Sequence, residues 1–348
     1  MRDLHIHSGV RSPRPFQILS LSGGGYRGLF TAAIVEKLEA DAKQPLRETF
    51  DLISGTSIGG IIACGLACGV PAADIRRAIE ARGPAIFDAH ARAFGLRLPV
   101  VLPRLGILRN RYNARGLAAA VSDVLGNHAA APISSLAVPL LVVAVDRTNA
   151  APQLFESEGM KPPTPCHTSL SDIAMATSAA PTYFPEHRIG ARNMIDGGVI
   201  ANAPDALALL RALGRFGKTA ADIRMISIGT AGASLEDIDR PARGYGALTW
   251  VAVRRLFDVT IKAQETLSIE CSREVLGDRL IRIDRLPSAK REVAIGLDKT
   301  GAGVSRILLG MAQQALDALE PSDQQILGGM LRQTAQWAIL IAPQPPQT

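Results

Sequence analysis

The 348-residue chain has no run approaching the roughly 18 uninterrupted apolar residues of a membrane-spanning helix, so any contact with a bilayer is expected from the water side. Residues 1–15 carry charge but no apolar core and are not expected to act as a secretory signal. Cysteine is scarce. Cys64, Cys68, Cys166 and Cys271 are too few and too scattered for a disulfide framework, which points to a reducing, cytoplasmic compartment. Cys64 and Cys68 lie four apart among small residues with no third or fourth ligand nearby, so helix packing explains them better than a metal. Histidine runs out early: His5, His7, His90, His128, His167 and His187 are the whole set, and residues 188–348 have none.

What is present begins with a 47% hydrophobic content, enough for a real core in one large domain or two ordinary ones. The net charge of +6 favours anionic partners such as lipid head groups, nucleotides or nucleic acid, without choosing among them. Short apolar runs at Ile18–Leu21, Phe50–Ser54, Leu140–Val145, Met194–Asp196 and Met225–Ile228 predict strands. Helical spacing follows at Tyr26–Ala42, Ile58–Cys68, Ala203–Leu213, Val304–Leu319 and Gln324–Ile339. Strands alternating with helices predict an α/β layered fold. The segment 83–116 breaks the pattern by interleaving Phe87, Phe94, Leu96, Leu98 and Val100–Leu102 with arginines, as an interfacial cap would; a cap packed on the core has the same composition.

Gly55–Thr56–Ser57–Ile58–Gly59 fits G-x-S-x-G between a predicted strand and a predicted helix, which makes Ser57 a candidate nucleophile. Its flanking Gly55 and Gly59 permit a sharp turn, and the following helix adds a field that favours developing negative charge. A serine needs a base. The late histidine of an ordinary α/β-hydrolase is missing, and His187 in "YFPEHRIG" is better explained by packing. Asp196 in "MIDGGVIANAP" is the remaining candidate, at a strand end where Gly197 and Gly198 allow close approach. A carboxylate is a weak base in water, so partial desolvation belongs to such a dyad.

Upstream, "SGGGYRG" places Gly23, Gly25 and Gly28 at G-x-G-x-x-G spacing. A dinucleotide fold needs an acid at the end of the next strand, and here that strand ends in Gly-Thr-Ser. No G-K-[S/T] follows, which excludes a phosphate-binding loop of that type. The loop makes better sense as an oxyanion hole, with Arg27 and the helix N-terminus in support.

"SGGGYRG", "GTSIGG" and "IDGGVIANAP", in that order, resemble the patatin-like phospholipase family, and "TSAAPTYFP", "RYNARGLAAAVSDVLG" and "ISIGTA" add to the likeness over about residues 16–230. The resemblance implies a three-layer α/β/α fold with a central mixed, mostly parallel sheet and a helical cap and C-terminal region. It implies a catalytic core at 16–230 with the cap-like insertion 83–116, and a largely helical extension of the same domain at 231–348. It carries the nucleophile onto Ser57, the base onto Asp196 and the oxyanion donors onto Gly23, Gly24 and Gly25, with no metal and no catalytic cofactor. Ser22 stands where members often carry Asp, with little expected consequence.

In plan the chain is also similar to bacterial effectors of cyclic-oligonucleotide anti-phage signalling (CBASS). That likeness implies a phospholipase that a cyclic dinucleotide activates to degrade the cell's own membrane at its inner face. Membrane phospholipid, a cyclic dinucleotide and a homo-oligomer on activation are the implied partners; nucleic acid is not. Arg104, Arg109, Arg111 and Tyr112 are candidate contacts for the dinucleotide, although a solvated cap face has the same composition. Two alternatives stay open: a housekeeping lipid hydrolase or acyltransferase without an activator, and a non-enzymatic module holding a nucleotide at Gly23–Gly28.

Overall fold

A computed structural model describes residues 14–87, 91–93, 96–98, 110–157, 167–232, 256–287, 295–335 and 337. Its strands are β1 (Phe16–Leu21), β2 (Leu52–Thr56), β3 (Ala91–Ala93), β4 (Leu96–Leu98), β5 (Leu140–Asp146), β6 (Ala151–Glu156), β7 (His187–Ile189), β8 (Arg192–Asp196), β9 (Ile223–Ile228) and β10 (Leu280–Ile283). The helices are α1 (Gly28–Ala42), α2 (Leu46–Thr49), α3 (Ile58–Cys68), α4 (Ala72–Ile86), α5 (Ala114–Leu125), α6 (Leu170–Thr177), α7 (Gly198–Ala201), α8 (Asp205–Gly214), α9 (Leu256–Leu276), α10 (Ala302–Asp317) and α11 (Pro321–Leu331). Eight strands form one sheet in the order β10-β9-β1-β2-β5-β8-β7, with β6 on the other edge of β5. β10, β9, β1, β2 and β5 run parallel, whereas β6 and β8 pair antiparallel with β5, and β7 with β8.

The apolar runs of β1, β2, β5 and β9 arise because both faces of the sheet are covered. Leu19, Leu21, Ile53, Val142, Ile226 and Ile228 enter the larger core cluster with α1, α3 and α10. Their alternating neighbours Phe16, Ile18, Leu52, Leu141, Ile223 and Met225 enter a second cluster with Ala208, Leu209 and Ala212 of α8. The sheet is thus the middle of three layers, mixed and mostly parallel. Helix α3 is buried at every position, as its small residues predict, and Cys64 and Cys68 are two of them. Among the described residues no helix is long and apolar enough to cross a membrane.

Several expectations need correction. The strand predicted at Phe50–Ser54 runs two residues later, because Phe50 is taken up in closing α2. The helix predicted over Gln324–Ile339 ends at Leu331. Ala335 N–H then donates to Glu48 O at 2.6 Å, and Trp337 Nε1 to Phe50 O at 3.1 Å, so backbone and indole are drawn onto the α2 turn instead. Within 83–116, Phe87 packs inward, its ring 5.3 Å from Tyr112 and 6.0 Å from Phe184. Phe94 and Val100–Leu102 lie outside the described residues, and of Leu96 and Leu98 only the β3–β4 hairpin backbone is described.

Candidate active site

Strand register brings Ser57 and Asp196 together. β6 occupies one edge of β5, so β2 and β8 must share the other. Parallel β2 ends with Thr56 opposite Val143, and antiparallel β8 ends with Asp196 opposite Ala144. The C-terminal ends of two oppositely directed strands therefore abut on adjacent residues of β5. Ser57 Oγ donates to Asp196 Oδ2 at 2.7 Å, and Gly198 N–H donates to the other carboxylate oxygen at 2.7 Å.

The turn that raises Ser57 is strained, with φ 55 and ψ −128 at a non-glycine residue, a conformation costing on the order of 1–3 kcal/mol. It is held from both sides. Ser57 N–H donates to Thr177 Oγ1 at 2.9 Å, and Thr177 Oγ1 donates to Val143 O at 2.5 Å, which fixes the elbow to β5. A Cβ on Gly59 would stand 2.3 Å from Leu21 O, and one on Gly197 would stand 2.1 Å from Val143 O; only glycine lets the two turns approach the sheet.

Burial pushes the Asp196 carboxyl up to about 6, against the opposing hydrogen bonds from Ser57 and Gly198. This is the partial desolvation that a carboxylate base needs. His187 is elsewhere, on β7, with Nε2 2.9 Å from Asp172 Oδ1.

The glycine loop crosses the same site between β1 and α1. Gly23 donates its N–H to Asn202 O at 2.9 Å, so of the three expected oxyanion donors this one is already engaged. Asn202 Nδ2 and Thr230 Oγ1 in turn donate to Gly23 O at 3.1 and 3.2 Å. The N–H groups of Gly24 and Gly25 make no hydrogen bond among the described residues. Tyr26 N–H donates to Leu297 O at 2.8 Å, which pins the far side of the loop.

Sequence reasoning missed the buttress behind that loop. Asn202 Nδ2 also donates to Glu265 Oε2 of α9 at 2.8 Å. Arg282 of β10 donates to Glu265 Oε1 at 3.1 Å, Asp284 Oδ2 at 2.7 Å, Ser22 Oγ at 3.0 Å and Ser227 Oγ at 2.8 Å. The hydroxyl of Ser22 is therefore an acceptor for a buried guanidinium, a role its sequence context did not reveal.

A cavity of about 330 Å³ opens onto Ser57 and Asp196. Gly23–Gly25, Arg27 and Lys262 line it on the polar side, and Ile58, Ile61, Ile79, Ile86, Phe87, Leu117 and Phe184 on the apolar side. Gly28 begins α1 against Ile58, and Gly55 lies within β2. Among the described residues no cluster of three or more His, Cys, Asp or Glu could hold a metal.

Of the expected dinucleotide contacts, Tyr112 and Arg111 are described, and both are engaged by one carboxylate. Tyr112 is buried and donates to Asp298 Oδ2 at 2.9 Å. Arg111 pairs with the same carboxylate at 3.3 Å and lies over the Tyr183 ring. Arg104 and Arg109 lie outside the described residues.

Residues 19–209 match the sequence model of the family described as patatin-like phospholipase. A protein of Pseudomonas aeruginosa named cGAMP-activated phospholipase is 34% identical over 84% of this chain and 85% of its own length. Proteins with the same name from Escherichia coli and Vibrio cholerae are 33% and 32% identical over 65% and 66% of this chain, which spans just under two thirds of each of them (64% and 66%). The family match covers more than half of the sequence and holds the G-x-S-x-G turn, the glycine loop and the Asp-Gly-Gly strand end; the chain belongs to the patatin-like phospholipase family of hydrolases.

Proposed function

We propose that the chain is a phospholipase in which Ser57 and Asp196 act as a dyad, Gly24 and Gly25 stabilise the oxyanion, and a cyclic dinucleotide switches activity on. The observation that carries the chemistry is the 2.7 Å hydrogen bond from Ser57 Oγ to a buried carboxylate at the mouth of an apolar cavity. In the first half-reaction Ser57 Oγ attacks an acyl carbonyl carbon while its proton passes to Asp196 Oδ2. The tetrahedral oxyanion sits against the Gly24 and Gly25 N–H groups, supported by the N-terminus of α1. The carbon–oxygen bond to the glycerol then breaks, and the leaving oxygen takes the proton from Asp196. Water hydrolyses the acyl-enzyme by the reverse sequence. Supporting roles fall to Arg27, Gly28, Gly55, Gly59, Gly197 and Gly198, none of which the reaction consumes.

A base must be ionised to work. With the Asp196 carboxyl at about 6, turnover of a soluble ester should be constant above neutrality and fall as pH drops through that value. Below the midpoint the decline should approach tenfold per pH unit. A flat profile from pH 5 to pH 8 would remove Asp196 from the role of base.

Three relatives named cGAMP-activated phospholipase support a cyclic dinucleotide as activator. We propose that the activated enzyme degrades the host membrane from its cytoplasmic face during phage infection. A ligand shifts activity only by binding the active state better than the inactive one. The test is fatty-acid release from anionic phospholipid vesicles against cGAMP concentration. Release that rises from near zero with cGAMP supports the switch. Full release without nucleotide, unaffected by cGAMP, leaves an unregulated lipid hydrolase.

A further inference from the structure

Ser178 is buried, 5% exposed, and lines the cavity that holds Ser57 and Asp196. Its Oγ has no hydrogen-bond partner among the described residues, a costly state for a buried hydroxyl. Its chain neighbours fix where it stands. Thr177 Oγ1 accepts the Ser57 N–H at 2.9 Å, and Ala179 O accepts the Asp196 N–H at 3.0 Å. Ser178 is thus bracketed between the two dyad residues. It ends α6 with φ −109 and ψ 6, a sparsely populated backbone region in which many active-site residues sit.

We propose that Ser178 Oγ holds the water that cleaves the acyl-enzyme. The inference rests on the Ser57–Asp196 reading and goes beyond it. Once Ser57 Oγ carries an acyl group it has no proton to donate, and Asp196 Oδ2 loses its partner. Gly198 N–H still holds Oδ1 at 2.7 Å, so the carboxylate keeps its orientation. A water between Asp196 Oδ2 and Ser178 Oγ satisfies both buried groups, and a buried water needs two or more such partners. Its oxygen forms the bond to the acyl carbon while its proton goes to Asp196 Oδ2. The bond from carbon to Ser57 Oγ then breaks, Asp196 returns the proton to Oγ, and the fatty acid leaves. Ser178 gains and loses no covalent bond. It is a water-positioning residue.

The experiment measures how the acyl-enzyme partitions between two acceptors. Wild type, Ser178→Ala and Ser178→Gly are given p-nitrophenyl butyrate with methanol and cGAMP, and butyrate is quantified against methyl butyrate. Inactivation by a fluorophosphonate reports Ser57 reactivity independently of deacylation. Both variants should react with the fluorophosphonate at the wild-type rate while the ratio of hydrolysis to methanolysis falls about tenfold, the scale of a lost positioning contact. A ratio unchanged in either variant, or a fluorophosphonate rate that falls with turnover, overturns the assignment. Ser57→Ala separates the two readings: hydrolysis that survives it sinks the dyad, whereas an inactive Ser57→Ala beside an unchanged ratio sinks the role of Ser178 alone.

Discussion

Ser57→Ala and Asp196→Asn should each abolish ester hydrolysis, with losses of about 10⁴-fold or more in kcat, and the double substitution should do no further damage because the two residues act as one unit. The Asp196→Asn arm is the more informative. Two donors converge on this side chain, Ser57 Oγ–H and Gly198 N–H, and the carboxylate gives each its own oxygen. An amide has one oxygen. If Gly198 N–H keeps it, the NH₂ group turns toward Ser57 and donates where a base must accept. The fold should survive, since volume and shape are unchanged, so loss of turnover with an unaltered melting temperature is the expected result. His187→Ala should keep full activity, because that imidazole is engaged by Asp172. Activity retained in Asp196→Asn and lost in His187→Ala would overturn the assignment.

Arg282→Met should act on stability, by about 3–5 kcal/mol, the cost of removing one partner from a buried ionic cluster. Arg282 is only 10% exposed and touches two carboxylates and two hydroxyls drawn from four segments of the chain. Burial works to raise the Asp284 carboxyl, but the Arg282 guanidinium overcomes it and holds that carboxyl below the ordinary range. A carboxyl depressed in this way stabilises the fold above its unfolded value and loses that contribution as pH falls. Without Arg282 the buried Asp284 carboxylate loses its main counter-charge at neutral pH and keeps only the weaker influence of Lys262, so taking up a proton relieves part of the cost. The deficit of Arg282→Met should therefore be largest near pH 7 and shrink toward pH 5, as measured by denaturant titration at both. Arg282→Lys should recover only part of the loss, since a single ammonium cannot match a planar fork of donors. A deficit below about 1 kcal/mol, or one independent of pH, would mean that the cluster is solvated enough to be ordinary surface charge.

The elements legible in the sequence are those whose cause is local. Helix α3 has the predicted bounds because the glycines around Ser57 start it and Gly69, at φ 84, ends it. β1 and β9 announce themselves as apolar runs because they lie inside the sheet. β6 was missed because Pro152 interrupts it, which a strand tolerates when it pairs along one edge only. β7 has the half-exposed pattern of a sheet edge, and nothing in its composition separates it from a loop. The juxtaposition of Ser57 and Asp196 was legible because a serine turn and an Asp-Gly-Gly strand end are each tied to backbone geometry. Asn202, Glu265 and Arg282 were not, since the contacts that tie them to the loop reach Gly23, Asn202 and Ser22, 179, 63 and 260 positions away. Ser178 lay within the quoted "TSAAPTYFP", but burial, which gives it meaning, is a property of the folded chain.

The meeting of β2 and β8 on one edge of β5 also bears on when the proposed dyad could first act. Ser57 and Asp196 are 139 positions apart, so a ribosome exposes the serine long before the aspartate has been synthesised. Non-local pairings of this kind form slowly, after the closure of a long loop. β5 has to be laid beside β2, and β8 beside β5, before any base stands against the serine. A nascent chain, or one cut short ahead of β8, carries Ser57 but not Asp196, so under the proposed mechanism it has nothing to deprotonate the serine. Under the proposed mechanism biosynthesis itself delays hydrolysis, because competence arrives only once β8 is laid beside β5.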